Sequence, residues 1–260
     1  MEITPTSTPL PDFLKALAHE VRWKILVFLA HSDHNVAEIV RFLGQPQNVV
    51  SYHLRKLREY HMVTERRSSA DSRDVYYSLD LDSFRHLYQA TGEMVHPALH
   101  SEDLIQEKTE WRLPTSPLRV LFLCTKNSAR SQIAEGILRH LSSQAIEVYS
   151  AGSQPSSLHP FAVRAMTTLG IDIRQHRSKH VDEFQDHSFE YIVTVCDRMR
   201  EVCPSFPGDA DRIHWSIPDP IEVEGTYEEQ YRAFEQTARY LLVKIRYLLT
   251  RIEYEQRTRV

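Results

Sequence analysis

The chain has 260 residues, with 31 Lys and Arg against 35 Asp and Glu, a formal charge of -4, and 42% hydrophobic residues. That length accommodates two ordinary domains, and the apolar fraction supports packed cores rather than a disordered chain. The negative balance excludes a generally basic nucleic-acid coat, no apolar run approaches a membrane span, and Met1 to Pro5 lacks the basic-then-apolar order of a secretory signal.

Residues 1–11 are rich in proline, threonine and serine and read as a loose tail. Phe13, Leu14, Leu17, Val21, Ile25, Leu26 and Leu29 then recur at helical spacing, predicting one or two amphipathic helices. Residues 35–44 form a short helix, with Asn35 placed to cap it and Gly44 to end it. Gln45-Pro46-Gln47 makes a turn, since proline cannot continue the helix before it. The next helix, 48–60, has Val49, Val50, Leu54 and Leu57 as its apolar side. Short strands at 62–66 and 74–79 flank a polar, basic tip, and a helix from about 81 to 98 closes the unit.

Helix, short helix, turn, helix and hairpin is the order of a winged helix-turn-helix, mainly α, whose second helix enters the major groove of DNA. Gln47, Asn48, Ser51, Tyr52, His53, Arg55 and Lys56 are its candidate contacts, with Arg66, Arg67 and Arg73 on the wing. Amides and hydroxyls suit base edges, and cations suit phosphates. Between Arg55 and Arg73, Arg55, Lys56, Arg58, Arg66, Arg67 and Arg73 outnumber Glu59, Glu65 and Asp71, a positive patch on an acidic chain.

Through Leu17-Ala18-His19-Glu20-Val21-Arg22-Trp23-Lys24-Ile25-Leu26 and Val50-Ser51-Tyr52-His53-Leu54, residues 13–79 resemble the arsenic-responsive family of winged-helix repressors. The resemblance implies a homodimer that binds double-stranded operator DNA and leaves it when a metal or metalloid binds. Relatives that sense arsenite often carry paired cysteines where this chain has Val36-Ala37-Glu38-Ile39-Val40, so a thiophilic ion finds no thiolate here. Asp82 with His86, and His96 with His100, are spaced as helical metal pairs, but Pro97 interrupts the second pair and no metal site is expected. Residues 100–117, charged and ending between Pro114 and Pro117, read as a linker between domains at 1–99 and 118–260.

From Leu118 onward strand and helix alternate: strand 119–123, helix 132–141, strand 147–152, helix 160–169, strands 191–195 and 212–215, and a long helix 226–252. That order predicts a three-layer α/β domain on a parallel four-stranded sheet, whose ligands bind beyond the carboxyl ends of the strands. Cys124 falls there. The other cysteines are Cys196 and Cys203, and three in a chain of this length do not make a secreted disulfide framework. A reducing, cytoplasmic location is expected.

Cys124-Thr125-Lys126-Asn127-Ser128-Ala129-Arg130-Ser131 joins the first strand to the first helix. Such a step gathers backbone N–H groups into a cage for a tetrahedral oxyanion, and the same field favours thiolate at Cys124. Arg130 can fork onto two anion oxygens, Asn127 and Ser128 can brace the loop, and Ser131 can donate to the cysteine sulfur. Asp219, before Pro220, is placed as general acid for a leaving oxygen. Cys196 and Cys203 read either as inert core thiols or as the means of discharging what Cys124 captures.

Cys124-Thr125, Asn127-Ser128, Arg130-Ser131-Gln132, Ser150-Ala151-Gly152, Gly170-Ile171-Asp172-Ile173, Cys196, Cys203-Pro204 and Asp219-Pro220 together resemble the low-molecular-weight tyrosine phosphatases, and within them the thioredoxin-coupled arsenate reductases. Lys126 departs from the glycine common in that loop, and Ala129 stands where some members have another cysteine. The resemblance implies that Cys124 attacks arsenate and that Cys196 attacks the thiol–arsenic adduct, releasing arsenite. Cys203 then closes a disulfide with Cys196, which thioredoxin reduces from outside, with no bound cofactor. The whole chain then reads as an arsenate reductase fused to a DNA-binding regulator of arsenic resistance. The alternatives are a phosphatase using only Cys124, Arg130 and Asp219, and a regulator with a non-catalytic oxyanion sensor. If residues 197–202 are helical, Cys196 and Cys203 stand roughly 10 Å apart, at about 1.5 Å per residue. A disulfide tolerates about 7 Å between Cα atoms, so the segment must unwind on oxidation.

Overall fold

A computed structural model describes residues 10–96, 111, 113, 118–143 and 145–258. The chain divides into two compact units after Glu107.

The first unit runs α1 (Asp12–Leu17), α2 (Glu20–His31), β1 (His34–Asn35), α3 (Val36–Leu43), α4 (Gln47–Glu59), β2 (Val63–Arg67), β3 (Val75–Leu79) and α5 (Leu81–Val95). Asn35 and Glu38 close a capping box at the start of α3. Gly44 ends that helix at φ 61°, a left-handed conformation that costs a residue without Cβ little. Pro46 is the cap of α4, where its missing N–H breaks no helical bond. Val50, Leu54 and Leu57 of α4 share one core with Ile25, Leu26 and Leu29 of α2 and Ile39 of α3. That core holds the two helices about the turn. In the wing, Val63 lies opposite Leu79 and Arg67 opposite Val75. β1 adds a third, antiparallel strand on β3, with His34 opposite Tyr77. Two polar residues carry no hydrophobic alternation, so this strand was invisible in the sequence.

The tail at 1–9, the predicted end of α5 at 97–98, His100 and most of the 100–117 linker lie outside the described residues. Two linker residues are described, and both pack against the second core: Trp111, whose Nε1 reaches Thr250 Oγ1 at 3.4 Å, and Leu113. Among the described residues no helix is long and apolar enough to cross a membrane. Nor do three or more His, Cys, Asp or Glu gather there as a metal cluster.

The second unit runs β4 (Leu118–Cys124), α6 (Arg130–Leu141), β5 (Ile146–Gly152), α7 (Pro160–Thr168), β6 (Tyr191–Thr194), α8 (Asp197–Glu201), β7 (Asp211–His214) and α9 (Tyr227–Thr258). Its sheet has the order β5-β4-β6-β7 and is parallel throughout. Val120, Leu121, Phe122 and Leu123 are fully buried, as a central parallel strand covered on both faces requires. Each such side chain contributes about 1.5–3 kcal/mol by leaving water. The register sets Cys124 opposite Gly152 and Leu123 opposite Thr194, so the carboxyl ends of three neighbouring strands meet at one edge. α9 continues past residue 252 because Ile252 and Glu253 are still buried.

Candidate active site

β4 delivers Cys124 to that edge with 2% of its surface exposed. The loop after it is shaped from both sides. Asn127 takes φ 46°, a left-handed conformation that asparagine tolerates better than most side chains. Its Nδ2 donates to Ser131 Oγ and Ser150 Oγ at 2.8 Å each. Its Oδ1 accepts from Gln132 Nε2 at 3.0 Å and from the Lys179 amide at 2.7 Å. Outside the loop, the amides of Gln154, Ser156 and His159 donate to the carbonyls of Thr125, Lys126 and Ser128, each at 2.9 Å. With the carbonyls fastened outward, the inward donors are the loop amides and the orphan N–H groups of the first turn of α6.

The sulfur sits among them. The Asn127 amide donates to Cys124 Sγ at 3.2 Å, and Ser131 Oγ lies 3.0 Å from the same atom. Ala129 is buried as the cap residue of α6, Ser128 is buried beside it, Thr125 is half-buried, and Lys126 is exposed at the rim. Gly152 closes the far wall. A Cβ there would stand 2.5 Å from Thr125 O, 2.8 Å from Cys124 O and 2.9 Å from Asn127 N, closer than any side chain can approach. The sequence signal for this fit was the Ser-Ala-Gly end of a strand beside the cysteine strand. The roles of Gln132, Ser150 and Lys179 as braces had no such signal.

Arg130 is 5% exposed. Its NH1 donates to Ile217 O at 2.9 Å and its NH2 to Asp219 Oδ2 at 2.6 Å. Two of its five N–H donors thus hold the protein. The Nε–H and one N–H on each terminal nitrogen are left for an oxyanion. The Asp219 carboxylate lies on the same wall. His159 stacks on Phe234 at 4.5 Å, and its Nδ1 accepts from the Phe161 amide. Burial lowers its pKa, with Asp219 acting the other way.

Cys196 caps α8, accepting from the Met199 amide at 3.4 Å, and lies 3.4 Å from Thr125 Oγ1. The loop that carries Cys124 therefore also touches Cys196. Burial pushes the Cys196 thiol up, the neighbouring Cys124 adds to this, and Arg130 opposes both. Cys203 is half-buried beyond α8, with Arg212 NH1 at 3.6 Å from its sulfur. All three cysteines are free. α8 (Asp197–Glu201) lies between Cys196 and Cys203 and ends one residue short of the 197–202 helix on which the sequence argument for unwinding was conditioned, Val202 being its C-cap.

In the first unit, Gln47, Asn48, Ser51, Tyr52 and Arg55 are exposed on α4, and Lys56 is half-buried. Arg55 lies over the Tyr52 ring at 5.7 Å, and Lys56 Nζ bonds Glu59 at 2.7 Å. His53 departs from the expected set. It is 6% exposed and its ring lies 4.4 Å from that of His19, so it faces the interior rather than DNA. The cause is helical period: residues 50, 54 and 57 define the buried stripe, and 53 lies on it. Burial accordingly lowers the His53 pKa. On the wing, Arg66 is half-buried and Arg67 and Arg73 are exposed, with Arg73 NH2 paired to Asp71 at 2.6 Å.

Residues 119–257 match the family model described as low molecular weight phosphotyrosine protein phosphatase, and residues 19–65 match that of the bacterial regulatory protein, arsR family. An arsenate reductase of Shouchella clausii is 43% identical over 119 residues, 45% of this chain and 84% of that protein. One from Halalkalibacterium halodurans is 39% identical over 117 residues, again 45% of this chain and 84% of the relative. A solved arsenate reductase in the phosphate binding state is 25% identical, covers 52% of this chain and 98% of its own, and superposes with a TM-score of 0.44. The chain thus belongs, through its second unit, to the low molecular weight phosphotyrosine protein phosphatase family, with an arsR-type helix-turn-helix region ahead of it.

Proposed function

We propose that the second unit reduces arsenate by a three-cysteine relay and that the first binds operator DNA. The observation that carries the relay is the meeting of Cys124 and Cys196 across the Thr125 hydroxyl, at the ends of adjacent strands, with Cys203 one short helix away. Arsenate binds in the loop cage and Cys124 displaces one of its oxygens as water, forming a sulfur–arsenic(V) bond. Asp219 takes a proton from the bound arsenate and passes it to the leaving oxygen, which departs as water. Cys196 attacks Cys124 Sγ, so the sulfur–arsenic bond breaks with its electron pair on arsenic, and arsenite leaves. Two thiols are oxidised as arsenic gains two electrons. Cys203 then takes over Cys196, and thioredoxin reduces that disulfide from outside, which suits a cytoplasmic protein.

Titrating thiols in reduced protein given excess arsenate and no reductant tests this reading. The expected result is a fall from three thiols to one, with one arsenite per two thiols lost. Three retained thiols would overturn it. A phosphatase is the second reading, since the Arg130–Asp219 pair serves it without a relay. That reading expects three thiols retained and an aryl phosphate hydrolysed through Cys124.

For the first unit, the support is the exposed polar face of α4 beside a basic wing. α5 has no buried residue and exposes Tyr88, Met94 and Val95, which suits a homodimer. Reduction in one unit can be coupled to operator release by the other. A mobility shift unaffected by arsenate, arsenite and oxidation would remove that coupling.

A further inference from the structure

The strand at the sheet edge, β7, presents alternate side chains to the two ends of the α8 segment. Its period of two puts Arg212 and His214 on one face. His214 Nε2 lies 3.2 Å from Asp197 Oδ1, and Ser216 Oγ donates to the same oxygen at 2.8 Å. Thr194 Oγ1 lies 2.9 Å from His214 Nδ1. All four side chains are buried, and Asp197 has no exposed surface. Asp197 is the residue after Cys196, so this cluster pins the Cys196 end of α8. The Cys203 end is held differently. Arg212, exposed and long, places NH1 3.6 Å from Cys203 Sγ and NH2 3.3 Å from Pro204 O.

We propose that Arg212 is a catalytic residue of the last thiol exchange, holding the Cys203 sulfur and carrying it to Cys196 while the Asp197–His214 cluster keeps the other end fixed. The inference rests on the relay reading above. In the step concerned, Cys203 gives its proton to solvent and attacks Cys196 Sγ of the Cys124–Cys196 disulfide. The new sulfur–sulfur bond forms as the old one breaks, and the electron pair leaves on Cys124. No outside oxidant enters. The guanidinium beside the attacking sulfur offsets the charge of the thiolate, which burial otherwise disfavours. The flexible Arg212 side chain can follow the segment as α8 opens, and its fork can keep the Pro204 carbonyl while doing so.

The test is one turnover of the full chain with arsenate and no reductant, quenched with an alkylating agent at intervals, with disulfides mapped by mass spectrometry. Wild type is expected to end as Cys196–Cys203 with Cys124 free. Arg212→Gln is expected to release arsenite normally but to accumulate Cys124–Cys196, converting about tenfold more slowly, because thiol exchange depends on the thiolate fraction of the attacking sulfur. Arg212→Lys, which keeps the charge, is expected to recover most of that rate. A Cys124–Cys196 disulfide that converts as fast in Arg212→Gln as in wild type would overturn the inference and leave the relay standing. A wild type that forms no Cys196–Cys203 disulfide would overturn the relay and this inference with it.

Discussion

The two units handle their polar residues in opposite ways. In the second, the groups that define the site are buried and already spoken for: Asn127 has no exposed surface and its side chain makes four hydrogen bonds. In the first, Gln47, Asn48, Ser51, Tyr52 and Arg55 stand in solvent on one side of a helix. A site that stabilises a small anion must be rigid before the anion arrives, since donors that need not reorganise are worth most. A surface that reads DNA gains from cations that adjust to phosphates. Substitutions in the second unit should therefore cost much in one place, and those in the first should cost little in many.

The largest contrast is at Cys124. Cys124→Ser should abolish arsenate reduction while leaving operator affinity in a mobility shift unchanged. Gly152→Ala follows, since its methyl would strike three backbone atoms of the loop. It should lose roughly 10²-fold in activity, as displacements of about 1 Å do, measured as kcat/KM. Asn127→Ala should lower the stability of the second unit by about 2–4 kcal/mol, because it strands several buried partners; denaturant unfolding reads this directly. In the first unit, Arg55→Gln should shift operator affinity only modestly, but reduce its salt dependence by about 0.9 in the log–log slope if the side chain neutralises one phosphate.

The smallest effect concerns pH. Burial holds His53, in the first unit, and His176, in the second, below the ordinary histidine pKa. Both therefore stay neutral to lower pH in the folded chain than in the unfolded chain, which takes up protons below about pH 6.5. Stability from this source is present above that pH and lost as pH falls through it toward the folded pKa values. His53→Phe should flatten the acid limb for the first unit alone, read from unfolding midpoints between pH 7 and 5.

Legibility in the sequence followed the same division. Val120 to Leu123 and the Cys-x5-Arg spacing announced the strand, loop and helix of the anion site, because a buried strand and a phosphate-type loop leave strong local patterns. Asn35 and Gly44 marked both ends of α3. What escaped was either too short or too distant. β1 has two residues, below the length at which a period registers. The bonds from Asn127 to Ser150 and Lys179 join residues 23 and 52 positions apart, which no local pattern encodes. His53 was misplaced because its chemistry suits DNA while its position on the helix serves the core.

Whether the three cysteines act in series is read by NADPH consumption with arsenate, thioredoxin and thioredoxin reductase, run on wild type and on Cys124→Ser, Cys196→Ser and Cys203→Ser. The relay predicts sustained turnover in wild type and its loss in all three variants. Turnover that survives in Cys196→Ser and Cys203→Ser, or its absence in wild type while an aryl phosphate is hydrolysed, would contradict it.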